Sequence, residues 1–461
     1  MKENITQIWR EYDRGKKYID SINLRTKTER NNNFYLGKQW ENANTGNIKM
    51  PVKNIIKPIV DYKVGVVAQN NVSIVFSADN ITEEDLRPVN TNPTIDGTTD
   101  ISRKDIADRT FQKLNKYIAS VWEKNDMDSE QWKIIREAVI SGDCYLYFLN
   151  KEDKEEFEYV DNTNIFFADE NNEDIQSQDY ILIVFRRPVS QIRQEARENG
   201  LKEKEIENIV SDNNTDDLLG NKQEVETDEG KCTCILKLLK KTITITDKET
   251  GVESKKTSVF MVKSTKGVEY CPETDTEMTM YPVVGYGHIE QKNNARCMGE
   301  PEPLINNQIE INATAGRRLL ATMMSSYPKL AYIRSKINNP DALTKVGVAI
   351  ELGGDSDNTI DDVSRVIDYL RPTQISPDAK QINDELKTDT MELAGANETA
   401  LGNINPENAS GKSIIAVRDN TTLPLSYNVA RFRKFIQEMA LVLFDMWQHC
   451  YPNGKTISYE D

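Results

Sequence analysis

The sequence predicts an α+β fold in which helices surround a mostly antiparallel sheet. The spacing of apolar residues is near 3.6 up to residue 141, which indicates amphipathic helices, and changes to two between residues 144 and 271, which indicates strands. After residue 300 the helical spacing returns in long segments. With 461 residues, of which 38% are hydrophobic, the chain is long enough for several domains with buried cores.

The N-terminal third is predicted to be mainly helical. The first helix ends at Asn31-Asn-Asn33, and a later pair of helices, with Trp122 and Trp132 in the core, is closed by Gly142. A short β-branched strand and a loop rich in Pro, Asn and Asp lie between them. The predicted elements are helices over 5–30, 58–67, 103–124 and 129–141, a strand over 72–76 and a loop over 77–100.

The central part is predicted to supply the sheet. Its strands follow one another without regularly alternating helices, which favours an antiparallel arrangement. One charged helix, over 189–210 with a break at Gly200, interrupts them. The predicted strands are 144–149, 157–160, 164–167, 180–186, 232–246, 252–263 and 266–271.

The C-terminal part is predicted to contain long helices around a small α/β unit. The first helix begins at Pro301, and the second begins at Ser376-Pro-Asp378, where Ser caps, Pro fits the first turn and Asp faces the positive end of the helix dipole. The second helix stops at Gly395 and buries a stripe of Ala379, Ile382, Leu386 and Leu393. The predicted elements are helices over 301–325, 360–370, 376–395 and 424–448 and strands over 329–333 and 346–352.

The net charge of −16 argues against a protein that binds tightly by neutralising phosphates. Residues 151–230 carry −14 of this charge, and their acidic end is too polar to bury, so we expect a solvated loop there. The segment 340–461 carries −8. No apolar run reaches the roughly 20 residues that span a bilayer, and the N-terminus lacks the apolar core of an export signal. We therefore expect a soluble protein that is not secreted.

Motifs for metal, nucleotide or catalytic chemistry are incomplete. Cys232, Cys234, Cys271 and His288 lack zinc-ligand spacing and are better explained as buried small side chains. Gly411-Lys-Ser413 lacks the earlier glycine and the preceding strand of a phosphate-binding loop. No carboxylate pair is marked out for acid–base work. The sequence therefore predicts no enzyme activity, no cofactor and no metal.

Several landmarks follow one another in a fixed order along nearly the whole chain. They are Phe34-Tyr-Leu-Gly-Lys-Gln-Trp40 with Asn54-Ile-Ile-Lys-Pro-Ile-Val-Asp-Tyr-Lys-Val-Gly65; the passage from helix through Gly142 to Cys144-Tyr-Leu-Tyr; Tyr281-Pro-Val-Val-Gly-Tyr-Gly287 with Gly299, Asn306-Asn-Gln308 and Ile311-Asn312; and an Asn/Gly-rich loop ending in Ser410-Gly411 between two helices. Each landmark is weak alone, but in this order they resemble the portal proteins of tailed bacteriophages, the connectors through which DNA enters the capsid.

The resemblance implies a portal-type fold and a ring oligomer. It divides the chain into a wing (1–295), a first stem helix (296–327), a clip (328–374), a second stem helix (375–395), a tunnel loop (396–412) and a tunnel helix with a return to the wing (413–461). The chain stops soon after the tunnel helix, where many relatives continue into a helical crown, so a crown is expected to be short or absent. In both stem helices apolar residues extend beyond one stripe, and copies packed side by side in a ring would cover them.

The resemblance also implies the partners and the place of action. These are further copies in a dodecameric ring, double-stranded DNA in the channel, the terminase large subunit, a head-completion adaptor, and the major capsid and scaffolding proteins, at a capsid vertex of the virion and in the host cytoplasm during assembly. Uncharged polar groups of the tunnel loop can touch a phosphate backbone without holding it. The candidate channel residues are Lys380, Lys387, Asn397, Asn403, Asn405, Asn408, Ser410 and Lys412.

Two alternatives of other classes remain open at this point. One is a capsid or tail structural protein in a different ring that never meets DNA. The other is an enzyme of unknown chemistry with its site in the sheet over 232–290. A central hole in images of the particles separates a portal from a protein that forms no ring, and a bound cofactor or metal would identify an enzyme.

Overall fold

The computed structural model describes twelve stretches of the chain, and they form two compact units. Unit 1 consists of Met1–Lys38, Ile56–Leu304 and Ala394–Asp461, and unit 2 of Gln39–Ile55 and Ile305–Leu393. The α+β class predicted from the sequence is confirmed. The described residues are 2–41, 50–70, 72–77, 103–151, 154–212, 230–246, 253–326, 329–345, 347–353, 362–370, 378–396 and 422–451.

Unit 1 begins with three helices, α1 (Lys2–Ser21), α2 (Leu24–Leu36) and α3 (Ile56–Ala68). The prediction of one helix ending at Asn31-Asn33 was wrong. The helical path breaks at Asn23, whose backbone is left-handed (φ 55°), and α2 continues through Asn31 to a left-handed Gly37 (φ 83°). Asn31 is tolerated inside α2 because its buried side chain donates a hydrogen bond to the Ile140 carbonyl, 3.0 Å away.

Two further helices, α4 (Arg103–Lys124) and α5 (Met127–Ser141), match the predicted spans closely. Trp132, predicted to be in the core, is instead 40% exposed. The buried stripe of α5 contains Ile134, Ile135 and Ala138, and Trp132 lies outside it. The segment 72–77 joins no strand ladder among the described residues; Phe76 instead hydrogen-bonds through its backbone to the Asn115 side chain on α4.

The strands form two antiparallel sheets in unit 1. The smaller has the order β2-β1-β8, from β1 (Asp143–Lys151), β2 (Lys154–Val160) and β8 (Val283–Gly287). The larger has the order β3-β4-β5-β6-β7. It is formed by β3 (Ile165–Phe167), β4 (Tyr180–Pro188), β5 (Lys231–Thr246), β6 (Glu253–Ser264) and β7 (Glu269–Asp275), with two short helices, α6 (Val189–Glu198) and α7 (Glu203–Ile206), between β4 and β5.

The larger sheet is buried on both faces because alternate residues of its strands enter different clusters. Leu182 and Val184 pack with Ile8, Tyr12 and Ile19 of α1. Their neighbours Ile181 and Ile183 instead pack with residues of β1 and β8 in a second cluster. The alternation thus explains how one sheet receives a helix on one side and the smaller sheet on the other.

Unit 2 contains most of α8 (Pro301–Ser326), then β9 (Lys329–Tyr332), β10 (Ile367–Leu370) and α9 (Asp378–Leu393). The predicted strand over 346–352 was wrong, since its only described pairing is one bridge from Leu352 to Ile337. The predicted helix over 360–370 was also wrong. Residues 363–365 form one 3₁₀ turn, and β10 pairs antiparallel with β9 from Ile367 opposite Tyr332.

The apolar stripe predicted to be buried on α9 is largely exposed. Ile382 is 52% and Leu393 65% exposed, while Asn383, Thr390 and Met391 are buried. The chain leaves α9 through Gly395, as predicted, in a left-handed conformation (φ 65°). The last helix, α10 (Ser426–Cys450), belongs to unit 1 and buries its predicted face, which includes Phe432, Ile436, Met439, Leu443 and Trp447.

Candidate nucleic-acid interface

The structure describes two of the eight residues predicted to meet DNA. Lys380 and Lys387 are seven residues apart on α9, which places them two turns apart on one face of the helix. Lys380 is exposed and Lys387 is half-buried. The other six, Asn397, Asn403, Asn405, Asn408, Ser410 and Lys412, lie outside the described residues.

The surroundings of the two lysines are acidic. Between them on the same surface lies Asp384, followed by Glu385 and Asp389, and all three carboxylates are exposed. Over its whole length α9 carries five acidic residues against two lysines. A phosphate backbone near this surface would meet isolated cations in a repelling field, so attraction would be weak and short-ranged.

Most of the exposed large apolar side chains among the described residues belong to unit 2. On α8 they are Ile309, Leu319, Met323 and Met324, and on α9 they are Ile382 and Leu393. The antiparallel pair of β9 and β10 adds Tyr332, Tyr369 and Leu370. A surface so rich in apolar side chains is typical of a protein that packs against another chain.

Within unit 2, α8 holds the segment 50–55 by two buried amides. Gln308 accepts from the Ile55 amide (2.9 Å) and donates to the Lys53 carbonyl (2.7 Å), and Asn312 accepts from the Lys53 amide (2.9 Å). These bonds satisfy backbone groups that would otherwise be buried without partners. They explain why Gln308 and Asn312 stand where an apolar helix face would be expected, and they join two of the landmarks that carried the family resemblance.

Two glycines allow a close crossing of chain segments in unit 1. A side chain at Gly142 would place its Cβ 2.4 Å from the Cys297 carbonyl oxygen, and one at Gly299 would place it 2.2 Å from the Ile140 oxygen. Gly142 also has a positive φ of 103°. Both positions therefore need glycine, and they join two further landmarks of the resemblance.

A buried polar cluster connects the beginning of α8 to α10. The Glu300 carboxylate is 3.0 Å from His288 Nε2 and 2.7 Å from Lys63 Nζ, and the Asn428 amide is 3.0 Å from His288 Nδ1. Burial favours a raised pKa for Glu300, but the hydrogen bond from His288 and the charge of Lys63 hold that pKa below its ordinary value. The cluster fixes the first turns of α10.

The other end of α10 is fixed by a second carboxylate. Asp445 accepts hydrogen bonds from the Thr279 amide (2.8 Å), the Thr279 hydroxyl (2.7 Å) and the Met280 amide (3.0 Å). The helix α10, which lies within the segment 413–461 predicted as tunnel helix and return to the wing, is therefore attached to the core of unit 1 at both ends.

The most buried charge is Arg296, which sequence reasoning missed. Its guanidinium is paired with Glu170 and also donates to the carbonyls of Asn162 and Ile165, both 2.7 Å away, above the ring of Phe167. Burial alone would lower the pKa of Arg296, but the facing Glu170 raises it above its ordinary value. No periodicity or motif marks such a residue, because its partners come from distant parts of the chain.

The three cysteines considered for zinc are buried in one apolar cluster of unit 1 beside Val189, Ile192 and Tyr270. His288 is engaged with Glu300 instead. Over the described part of the chain, no three His, Cys, Asp or Glu side chains are grouped as metal ligands would be. None of the helices in that part is long and apolar enough to cross a membrane.

Comparison with known proteins agrees with this reading of the residues. No curated protein matches the chain. A sequence model of the family described as "Phage P22-like portal protein" matches residues 12–459, nearly the whole chain. The match includes every landmark of the resemblance and extends over both compact units. The chain therefore belongs to the phage P22-like portal protein family, which consists of portal proteins of tailed bacteriophages.

Proposed function

We propose that this chain assembles into the ring-shaped portal at one capsid vertex, through which double-stranded DNA is packaged, retained and later ejected. Portal proteins are structural proteins of the virion capsid, and the family match supports this role. The observation in this molecule that carries the proposal is the apolar surface of unit 2, which a single copy leaves open to solvent.

Ring closure follows from the distribution of that surface. Exposed apolar side chains lie on helices and on the β9–β10 pair alike, so one self-complementary patch between two copies would not cover them all. A head-to-tail contact repeated around an axis covers two different surfaces on every copy and closes into a ring. By analogy with the family we propose that the ring contains about a dozen copies. Heterologous contacts of this kind build closed rings.

The proposed channel wall is acidic with few cations. Lys380 and Lys387 face DNA from α9, and the polar groups of 396–412 narrow the passage. Each phosphate that a protein neutralises adds salt-dependent affinity, with a slope of about 0.9 per contact. A wall with a net negative charge lets a duplex slide, whereas a basic wall would hold it.

The proposed division of labour follows the sequence segments. The wing (1–295) contacts the major capsid and scaffolding proteins, and 296–327 and 375–395 act as the stem helices. The clip (328–374) docks the terminase large subunit during packaging and the head-completion adaptor afterwards, in the host cytoplasm where particles assemble. The tunnel helix and its return to the wing occupy 413–461.

Particle shape and mass test the proposal directly. We expect negative-stain images of the purified full chain to show rings with a central hole and sedimentation to show one closed oligomer. A double variant, Met323→Glu with Leu393→Glu, places charges on the exposed apolar surface of unit 2 and should yield smaller species.

The matched control is Leu441→Glu, which changes an exposed apolar side chain of unit 1 and should leave the rings intact. A wild-type chain that stays monomeric at micromolar concentration in all salt conditions would contradict the proposal. Rings that form but never associate with DNA in assembled particles would support a different structural ring protein instead.

A further inference from the structure

Unit 1 contains a cavity of about 570 Å³. Its floor is formed by β1 and β8, including Asp143 and Tyr286. One wall is the loop over 172–178, and the opposite wall is the exposed side of α10 between Tyr427 and Glu438. The volume lies in the range of small-molecule sites in proteins, roughly 300–1,000 Å³.

Carboxylates dominate the charge of this cavity. Five acidic side chains line it against two basic ones. The acidic residues come from the floor, from the loop and from the helix, so their charges are spread around the cavity and not gathered at one point. They are Asp143, Glu173, Asp174, Glu290 and Glu438, and the basic residues are Arg431 and Lys434.

The two cations leave part of this negative charge uncompensated. Arg431 is engaged by Glu290 at 3.0 Å and by the His288 carbonyl at 3.2 Å, so its charge is already paired. Lys434 lies 3.5 Å from Glu438, but its side chain is 76% exposed, and such pairs are weak. Glu173 and Asp174 have no basic partner from the cavity lining within salt-bridge distance, and the nearby Lys240, whose charge interacts with Asp174, lies outside the lining.

Carboxylates on opposite walls also repel each other. The pKa of Glu438 is raised mainly by burial, and although Lys434 opposes this, the charge of Asp174 across the cavity raises it further. On the floor, burial raises the pKa of Asp143 to about 7 against the opposing charge of Arg296. A positive charge between Asp174 and Glu438 would reduce the repulsion between these two carboxylates.

A polar group on the floor also lacks a partner. The Tyr286 hydroxyl is buried, and the residue is 2% exposed, yet no described group hydrogen-bonds to that hydroxyl. A buried hydroxyl without a partner costs free energy that a bound donor or acceptor would recover. The cavity thus offers an acceptor on its floor, carboxylates on its walls and the aromatic ring of Tyr427 at its edge.

We propose that this cavity binds an elongated organic cation whose ammonium groups are several ångströms apart, such as a linear polyamine or a lysine side chain. One ammonium would lie between Asp174 and Glu438, and the chain would extend over the floor towards Asp143. Separated ammonium groups match carboxylates on three sides of a cavity better than a compact metal ion, which needs its ligands around one point. The site does not depend on the proposed ring.

Calorimetric titration of the purified full chain with spermidine at low ionic strength tests the proposal. We expect saturable binding, and we expect the double variant Asp174→Asn with Glu438→Gln to weaken it by about tenfold or more. Asn at 174 keeps an oxygen that can accept the hydrogen bond now donated by the Gln176 amide, so the loop should fold normally. Thermal unfolding checks this.

Two further variants provide an increase in affinity and an unchanged control. Lys434→Gln removes a competing cation and should tighten binding, whereas Glu392→Gln, on α9 outside the cavity, should leave it unchanged. Titration with a lysine-containing tripeptide distinguishes the two possible sources of the cation. If the tripeptide binds more tightly than spermidine, the natural ligand is a lysine side chain of a protein; if it binds more weakly, the ligand is a free polyamine. Absence of saturable heat, or equal affinity in the wild type and the folded double variant, would overturn the proposal.

Discussion

Arg296 and Glu170 form a bidentate ion pair inside unit 1, with the guanidinium Nε 2.8 Å and Nη2 2.9 Å from the two carboxylate oxygens. Both residues are buried, Arg296 to 1% exposure. The guanidinium also donates to two backbone carbonyls, so each of its three nitrogens has a partner. A buried pair of this kind is costly to break because the group left behind keeps its charge without compensation.

We predict that Arg296→Met destabilises the protein by about 3–5 kcal/mol, the cost of leaving a buried carboxylate unpaired. Arg296→Lys should also destabilise, since an ammonium cannot reach both Glu170 oxygens and both carbonyls in the planar geometry of a guanidinium. Urea unfolding measures both changes. The exposed pair of Arg197 and Glu203 provides the control, and Arg197→Met should change stability little. A loss of stability in Arg197→Met as large as the loss in Arg296→Met would contradict the role of burial.

Glycine substitutions should separate close packing from helix propensity. Gly299→Ala places a methyl group against the Ile140 carbonyl and should destabilise unit 1 strongly, because backbone cannot yield as a flexible side chain can. Gly65→Ala, inside α3 with open space around it, should stabilise the protein by up to about 1 kcal/mol. Thermal unfolding of the two variants should therefore shift in opposite directions, and shifts of equal sign would refute the explanation.

The pH dependence of stability should carry a contribution from Asp143. Its pKa is about 7 in the folded protein, raised by burial, against an ordinary value near 3.9 in the unfolded chain. The folded state therefore takes up a proton as pH falls through 7. This contribution makes the fold more stable from pH 7 down to about pH 5, by at most about 1.4 kcal/mol per pH unit.

Asp143→Asn removes that contribution. As the pH falls from 7 to 5, the free energy of unfolding should rise less in this variant than in the wild type. Urea unfolding at several pH values measures the difference. Glu300 does not interfere, because its pKa is lowered and it stays ionised over this interval. Asp384→Asn, at an exposed position on α9, should reproduce the wild-type curve. Parallel curves for the wild type and Asp143→Asn would show that Asp143 does not titrate there.

The channel proposal predicts an effect of charge on α9. Lys380→Glu combined with Lys387→Glu should lower the fraction of particles that retain DNA after packaging, because two cations proposed to face phosphates are replaced by repelling charges. Nuclease protection of packaged DNA measures retention. Lys434→Glu on α10 serves as the control for a Lys-to-Glu change at a position in unit 1. Retention equal to the wild type in the double variant would place these lysines away from DNA.

Several elements were predictable from the sequence because local pattern and tertiary packing agree. The span predicted for α4 and the buried face predicted for α10 were confirmed. The segment 360–370 was misread because Val363, Val366, Ile367 and Leu370 have helical spacing. Pairing of Ile367–Leu370 with Lys329–Tyr332, a long-range contact, outweighs that spacing.

The candidate site was predictable only in part. Lys380 and Lys387 lie on a helix, α9, as predicted, but their contact with DNA was inferred from the family resemblance and stays a prediction. The exposure of Ile382 and Leu393 was not predicted. An apolar stripe indicates that a helix face is covered, but not whether the same chain or another chain covers it. Arg296 and the cavity of unit 1 depend on contacts between residues more than 100 positions apart, which single-sequence patterns do not record.

The attachment of α10 at both ends has a mechanical consequence. Asn428 in its first turn is held by His288, and Asp445, near its C-terminal end, is held by the backbone at Thr279 and Met280. A pull on the chain that enters this helix would be shared by several hydrogen bonds and a buried apolar face that must break together. A helix held at one end could instead be peeled away bond by bond. In the proposed portal, a load on the chain that enters α10 would therefore be shared by the core of unit 1.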